Sequence, residues 1–143
     1  MFKESLAFGD VLLSPQYSDI TSRREVSLKS ALGNLKFTIP IISSPMDTIS
    51  EVKMAQTLGD YGGLSILHRY NSIKEQVSLA IDCAGTMVGA AVGTSGDYLE
   101  RATALKPHVD VICIDVAHGH HLLMRDAIKE LRKVVGTEMH IMA

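Results

Sequence analysis

The sequence predicts an α/β protein with a parallel sheet and helical crossovers, and three observations carry that expectation. The first is the stretch VDVICIDVAHGHH. Its near-continuous apolar run Val111–Ile114 ends on Asp115 and opens, through a loop holding Gly119, into a helical pattern of Leu122, Leu123, Ala127, Ile128, Leu131 and Val135. The second is rhythm. Apolar, strand-like runs marked by Ile41, Leu64, Val88, Val111 and Met139 follow one another at intervals of 23, 24, 23 and 28 residues, with an amphipathic segment in each interval. The third is that SSPMDT, not GxGxxG, follows the first run. Spacing alone permits both an open doubly wound sheet and a closed (β/α)8 barrel. A whole barrel takes about 250 residues, and these 143 hold four βα units and the start of a fifth strand. A core strand at the end of a chain leaves unpaired backbone and apolar faces, so the expectation is one half of a larger unit.

Residues 1–38 read as an irregular N-terminal segment. Phe8–Leu13 is apolar and stops at Pro15. Arg23 and Arg24 precede an alternating piece, Glu25–Leu28, and a second, Leu35–Thr38, follows the Gly33-Asn34 turn, which predicts a small hairpin. From 39 to 143 the βα rhythm holds. Ile39–Ser43 is the first strand of the repeat, Glu51–Leu58 its helix, and Asp47 and Thr48 are candidate caps. Leu64–Leu67 is the second strand. Ser72 with Glu75 three residues on forms a capping box for a helix over Ile73–Cys83. Met87–Val92 and Asp97–Leu105 make the third unit, and Val109–Ile114 and Leu122–Val135 the fourth, closed by Gly136 as a C′ glycine. Met139–Met142 begins the fifth strand.

Composition narrows the function classes. Hydrophobic residues make up 46% and charged residues 21%, as in ordinary globular chains. A net charge of −2 gives no electrostatic case for nucleic acid or a membrane surface as partner. No apolar run approaches the ~20 residues of a membrane span, and MFKESLAFGD carries no signal-peptide core. Cys83 and Cys113 fall in a helical stretch and a buried strand, which predicts free thiols and a cytoplasmic setting.

Four places hold residues with chemistry to offer. Ser43–Thr48 presents hydroxyls, a stiffening Pro45, and Met46, whose polarizable sulfur suits a flat base; an ordinary capped loop explains the same residues. His68 and Arg69 lie just past the second strand, where a cation suits a phosphate or an adenine ring, or simply faces solvent. Gly89–Thr94 supplies small residues that let a ligand or a neighbouring backbone come close. Asp115 can accept from two ribose hydroxyls. His118, His120 and His121 invite a metal, but no carboxylate or cysteine in that segment stands at ligand spacing, so no metal is expected. Neither cysteine has an activating neighbour in sequence.

Taken together these motifs resemble the IMP dehydrogenase and GMP reductase family. FGDVLLSPQYSDI is similar to its opening signature, IPIISSPMDTISEVKMA to its strand-one region and GGLSILHRYNSIKEQV to its strand-two region. GAAVGT is similar to its third strand, and VDVICIDVAHGH to its strand-four cofactor loop. The likeness runs the whole length and implies a (β/α)8 TIM barrel of which this chain supplies about the first half. It further implies that Ser44 and Met46 contact IMP or GMP. Asp115, Val116 and Ala117 would hold the nicotinamide riboside of NAD (or NADP), and Arg69, Ser95 and the Arg23-Arg24 pair would lie toward the adenosine end. The cysteine that forms a covalent adduct with the purine belongs to the family's second half, outside this chain, so the implied partners are the C-terminal half of the barrel and a homo-tetramer. The regulatory CBS pair that many dehydrogenases insert after the second strand is missing, and His121 stands where the family usually has serine. Ser44-Pro45-Met46 is dehydrogenase-like, while Asp115-Val116-Ala117 leans toward reductases. The expected activity is NAD-dependent oxidation of IMP to XMP. The alternatives are NADPH-dependent reduction of GMP to IMP, a non-catalytic nucleotide-binding half-barrel, and a metal-dependent hydrolase using the histidines.

Overall fold

Each βα unit delivers its chain back to the same sheet edge, and the strands line up in the order they are made. The computed structural model describes residues 3–143; Met1 and Phe2, which begin the expected N-terminal segment, lie outside them. Two single turns of 3-10 helix, Phe8–Asp10 and Arg23–Glu25, precede a hairpin of β1 (Ser30–Leu32) and β2 (Leu35–Phe37). Then come β3 (Ile42–Ser43), α1 (Val52–Asp60), β4 (Leu64–Leu67), α2 (Ile73–Asp82), β5 (Val88–Val92), α3 (Tyr98–Leu105), β6 (Val111–Ile114), α4 (Leu122–Val135) and β7 (His140–Met142). Strands β3 to β7 form one parallel sheet in the order 3-4-5-6-7. A doubly wound sheet reverses its order at a switch point. This sheet does not, so its crossovers all turn the same way.

Register sorts the side chains onto two faces. Ile66, Gly89, Val111 and His140 stand side by side on one face, and Leu67, Ala90, Ile112 and Ile141 on the other. The second face carries the larger core, where Leu67, Ala90, Val92, Ile112 and Ile114 meet Ala55, Ala80, Ala102, Leu105, Ala127 and Leu131 from the four helices. The first face is covered by the hairpin instead: Phe37 and Leu35 pack with Leu64, Ile66, Ala91 and Val111. Thr38 N donates to Gly62 O, which ties the hairpin to the entry end of β4, and Asn34 contacts His140 at the entry end of β7. Strand β5 has room for nothing large on this face. A Cβ on Gly89 would lie 2.5 Å from Ile66 Cδ1 and 3.0 Å from Val111 Cβ.

Three local expectations are corrected. The first hairpin strand lies at Ser30–Leu32, not Glu25–Leu28. Arg23–Glu25 is drawn into a 3-10 turn capped by Ser22, and Gly33 at φ +61° makes a two-residue turn that sets the pairing Leu32 with Leu35. The strand expected from Ile39 begins only at Ile42, because Pro40 has no N–H for the ladder. Asp47 and Thr48 do not cap α1. The turn in which Ile49 N and Ser50 N donate to Met46 O leaves them a turn too early, and Glu51 is the cap residue, its side chain making no capping bond to the helix. The Ser72–Glu75 capping box and the end of α4 at Gly136 (φ +84°) are as expected. Phe8–Asp10, at the start of the apolar stretch, is the first 3-10 turn, and Phe8, Leu12, Leu13 and Tyr17 stand almost fully exposed.

The fold also contains a buried polar knot. Gln76 is fully buried on α2, and its Nε2 donates to His68 O and Ala91 O at 2.9 Å each. Its Oε1 accepts from Arg101 Nη1 of α3 at 2.8 Å. Arg101 is in turn paired with Asp97 at 2.7 Å and donates to Asn71 O. That hydrogen bond from Arg101 holds the Asp97 carboxyl below its ordinary range. Replacing Gln76 by leucine strands two carbonyls and a guanidinium N–H away from water. Gln76→Leu is expected to lower unfolding free energy by about 3 kcal/mol, measured as a lower denaturation midpoint in urea with an unchanged slope.

Candidate functional site

Five adjacent parallel strands point the same way, so the loops at their C-terminal ends form one rim. Ser44 is the residue after β3, Arg69 the second after β4, Ser95 the third after β5 and Asp115 the first after β6. Ser44, Met46, Ser95 and Ala117 are exposed there, while Arg69, Asp115 and Val116 are half-buried. The rim therefore gathers the residues the sequence singled out, and it brings two of them, Arg69 and Asp115, into direct contact.

The loop after β3 is held from beneath by hydroxyls. Ser43 Oγ lies 2.7 Å from both Ser50 Oγ and Ser65 Oγ, and Ser50 Oγ donates to Ser44 O. Each hydroxyl has one proton. Ser50 gives its proton to the Ser44 carbonyl, so Ser43 donates to Ser50 and Ser65 donates to Ser43. Ser50 and Ser65 are fully buried. This chain closes the loop that presents Ser44 and Met46.

The loop after β4 is held sideways. His68 is buried, and its Nδ1 accepts from Tyr70 N at 3.2 Å. The ring proton is therefore on Nε2, which donates to Glu51 Oε1 at 3.0 Å. Glu51 is the cap residue of α1. Next along the chain, the Arg69 guanidinium lies 5.7 Å from the Tyr70 ring centre and reaches over the end of β5. Its Nη2 donates to Asp115 O at 3.2 Å, and its Nε lies 3.5 Å from Asp115 Oδ2. That second approach is an ion pair without a hydrogen bond, and it leaves the buried Nε without an acceptor. The guanidinium lies against Gly93 at the end of β5: a Cβ there would stand 3.4 Å from Arg69 Nη1, an ordinary contact distance.

Beyond Asp115, His121 caps α4, its Nδ1 accepting from Leu123 N at 3.1 Å. Thr94, Val116, His118, His121, Leu123 and Met124 line a hollow of about 200 Å³ beside the Asp115 loop. Among the described residues, no group of three His, Cys, Asp or Glu side chains gathers to hold a metal ion. Arg23 and Arg24 sit in an exposed turn ahead of the hairpin, and among the described residues neither side chain is bonded to the rim.

Sequence reasoning missed the Ser43–Ser50–Ser65 chain, the Glu51–His68 pair and the Gln76–Arg101 knot. Gln76 and Arg101 did leave a signal, since each lies on the apolar face of its helix, beside Ala80 and Leu105 respectively. The serines left none, because their roles depend on contacts 7 and 22 residues apart.

Cys113 lies on the hairpin-covered face of β6, and burial, with a smaller push from the Asp115 charge, raises its thiol to about 11. Burial likewise raises Cys83. At pH 8 Cys113 should react with iodoacetamide about 100-fold more slowly than an exposed cysteine, because its thiolate is that much scarcer. Mass-spectrometric labelling rates in the folded and urea-unfolded chain measure this.

Comparison with known proteins places this geometry. The model of the IMP dehydrogenase / GMP reductase domain matches residues 5–143. Inosine-5'-monophosphate dehydrogenase of Nitrosopumilus maritimus is 47% identical over 78 residues, covering 54% of this chain and 16% of that protein. GMP reductase 2 of Bos taurus is 35% identical over 138 residues, covering 90% of this chain and 40% of that protein. The crystal structure of inosine 5'-monophosphate dehydrogenase from Legionella pneumophila superposes with a TM-score of 0.85 at 38% identity, over 94% of this chain and 42% of that one. The chain thus spans less than half the length of the relatives it matches. A sheet wound in order with its strand exits on one rim, and a family match from residue 5 to the last residue, lead to one conclusion: the chain belongs to the IMP dehydrogenase / GMP reductase family.

Proposed function

We propose that the chain is the first half of a (β/α)8 barrel whose complete form oxidises IMP to XMP with NAD. Residues 39–143 supply the barrel's first strands, and 1–38 form the segment whose hairpin covers the entry face. The observation that supports this most directly is the meeting of Arg69 and Asp115 over the end of β5, beside the loop that presents Ser44 and Met46.

The residues fit a dinucleotide. Asp115 is half-buried, receives no hydrogen bond on its carboxylate among the described residues, and is set by Arg69 through its backbone carbonyl. Both carboxylate oxygens are left to accept from a ribose diol. The adjoining hollow, walled by Val116, Leu123 and Met124 with Thr94 at its edge, suits a flat ring. When bound, NAD accepts the hydride. Ser44, exposed on the rim, offers a hydroxyl to the nucleotide monophosphate, and Met46, 48% exposed, a polarizable face for its base. The overall balance is IMP plus NAD plus water giving XMP, NADH and a proton. The nucleophile that adds to the purine C2 is a cysteine of the second half. Neither thiol here is suited to that role, since burial keeps both protonated. This chain's part is to hold the two ligands on one rim so that the reacting atoms meet.

Reduction of GMP to IMP with NADPH is the second reading. A GMP reductase aligns with 90% of this chain, and Asp115-Val116-Ala117 leans that way. One assay separates the two. Co-expressed with the C-terminal half of the Legionella barrel, the chain should generate NADH absorbance with IMP and NAD, and should leave GMP and NADPH unchanged. The opposite pattern assigns the reductase, and silence with both pairs rejects the oxidoreductase. In the active complex Asp115→Asn is expected to raise the KM for NAD about 10- to 100-fold with little change in the KM for IMP, as for loss of a charged hydrogen bond.

A further inference from the structure

Neighbouring residues His68 and Arg69 reach in opposite directions along the rim. His68 Nε2 holds Glu51, which directly follows Ser50, the residue that closes the Ser44–Met46 loop. Arg69 holds Asp115 across the end of β5. The backbone between them is anchored as well: His68 O accepts from Gln76 Nε2, and Tyr70 N donates back to the His68 ring. One dipeptide thus connects the exit loops of β3 and β6, which share no strand pairing.

We infer that His68 and Arg69 are positioning residues that fix the nucleotide loop and the cofactor loop relative to each other. Arg69 then acts through Asp115 rather than on the adenosine end, where the family likeness put it. This rests on the proposed roles of Ser44, Met46 and Asp115. Three features support it beyond the contacts themselves. His68 is 4% exposed, so its ring is fixed and cannot swing away. Its tautomer is set by Tyr70 N–H, so donation to Glu51 is its one available pairing. And the guanidinium is seated on the end of β5, at ordinary contact distance from Gly93. Coupling needs a continuous set of such contacts with a defined geometry, and Glu51–His68–Arg69–Asp115 is one.

The test uses the full 143-residue chain, labelled with 15N, and NAD alone as the probe, so that no contact between two bound ligands can carry the effect. NAD is expected to shift the amides of Asp115–Ala117 and, through the bridge, those of Arg69–Tyr70 and Met46–Ile49. In Arg69→Gln the first set should still move, while the shifts at Met46–Ile49 fall by about threefold or more. Arg69→Lys should restore part of them. His68→Leu should silence Met46–Ile49 but spare Arg69–Tyr70, and His68→Gln, whose amide can still donate to Glu51, should restore the loop. Undiminished shifts at Met46–Ile49 in Arg69→Gln and His68→Leu, or their absence in the unmodified chain while Asp115–Ala117 respond, overturn the bridge and leave the ligand loops as proposed. If neither NAD nor, in a separate titration, IMP moves any rim amide, the proposed function fails and the bridge with it.

Discussion

Two backbone carbonyls set the terms for the rim. Where β4 leaves the sheet, His68 O and Ala91 O lose the N–H donors that a longer strand would have supplied, and a buried carbonyl without a donor is costly. The Gln76 amide serves both. Because Gln76 is borne on α2 and steadied by Arg101 from α3, the outer helices determine where the chain turns after β4. The direction of His68 and Arg69 follows from that turn. A site on the rim is thus positioned from the helical layer, through a polar contact that crosses the apolar core.

Packing on the opposite face obeys a different rule. Gly89 and Ala91 give β5 almost no side-chain volume there, and Ile66 and Val111 close over it from both sides. Close packing of this kind leaves no gap for a larger residue. The hairpin then lays Phe37 and Leu35 against the same face. The N-terminal segment, which from residue 3 to 29 holds no strand and two 3-10 turns, is therefore part of the core where its hairpin meets the sheet.

Much of this was legible in sequence because the deciding forces were local. The interval between apolar runs fixed the strand count, the Ser72–Glu75 box began α2, and Gly136 ended α4. The errors share a cause of their own. Pro40 shortened the first strand by removing a ladder donor, and the turn around Met46 displaced Asp47 and Thr48 from the helix end through backbone bonds that the residue types do not report. A further contact had no signal in the sequence: Arg69 meets Asp115, 46 residues away, a pairing decided by the adjacency of β4, β5 and β6. Side-chain pairs of this kind become visible only once strand order is known.

The serine chain beneath the β3 loop has one more consequence. Ser65, Ser43 and Ser50 each spend their single proton on the next oxygen in line, and the last is absorbed by a peptide carbonyl. None of the three has a donor left for a solute, although all carry the group a phosphate or sugar seeks. Valence alone thus divides the neighbouring serines into a spent interior set and the exposed Ser44, whose hydroxyl takes no part in that chain.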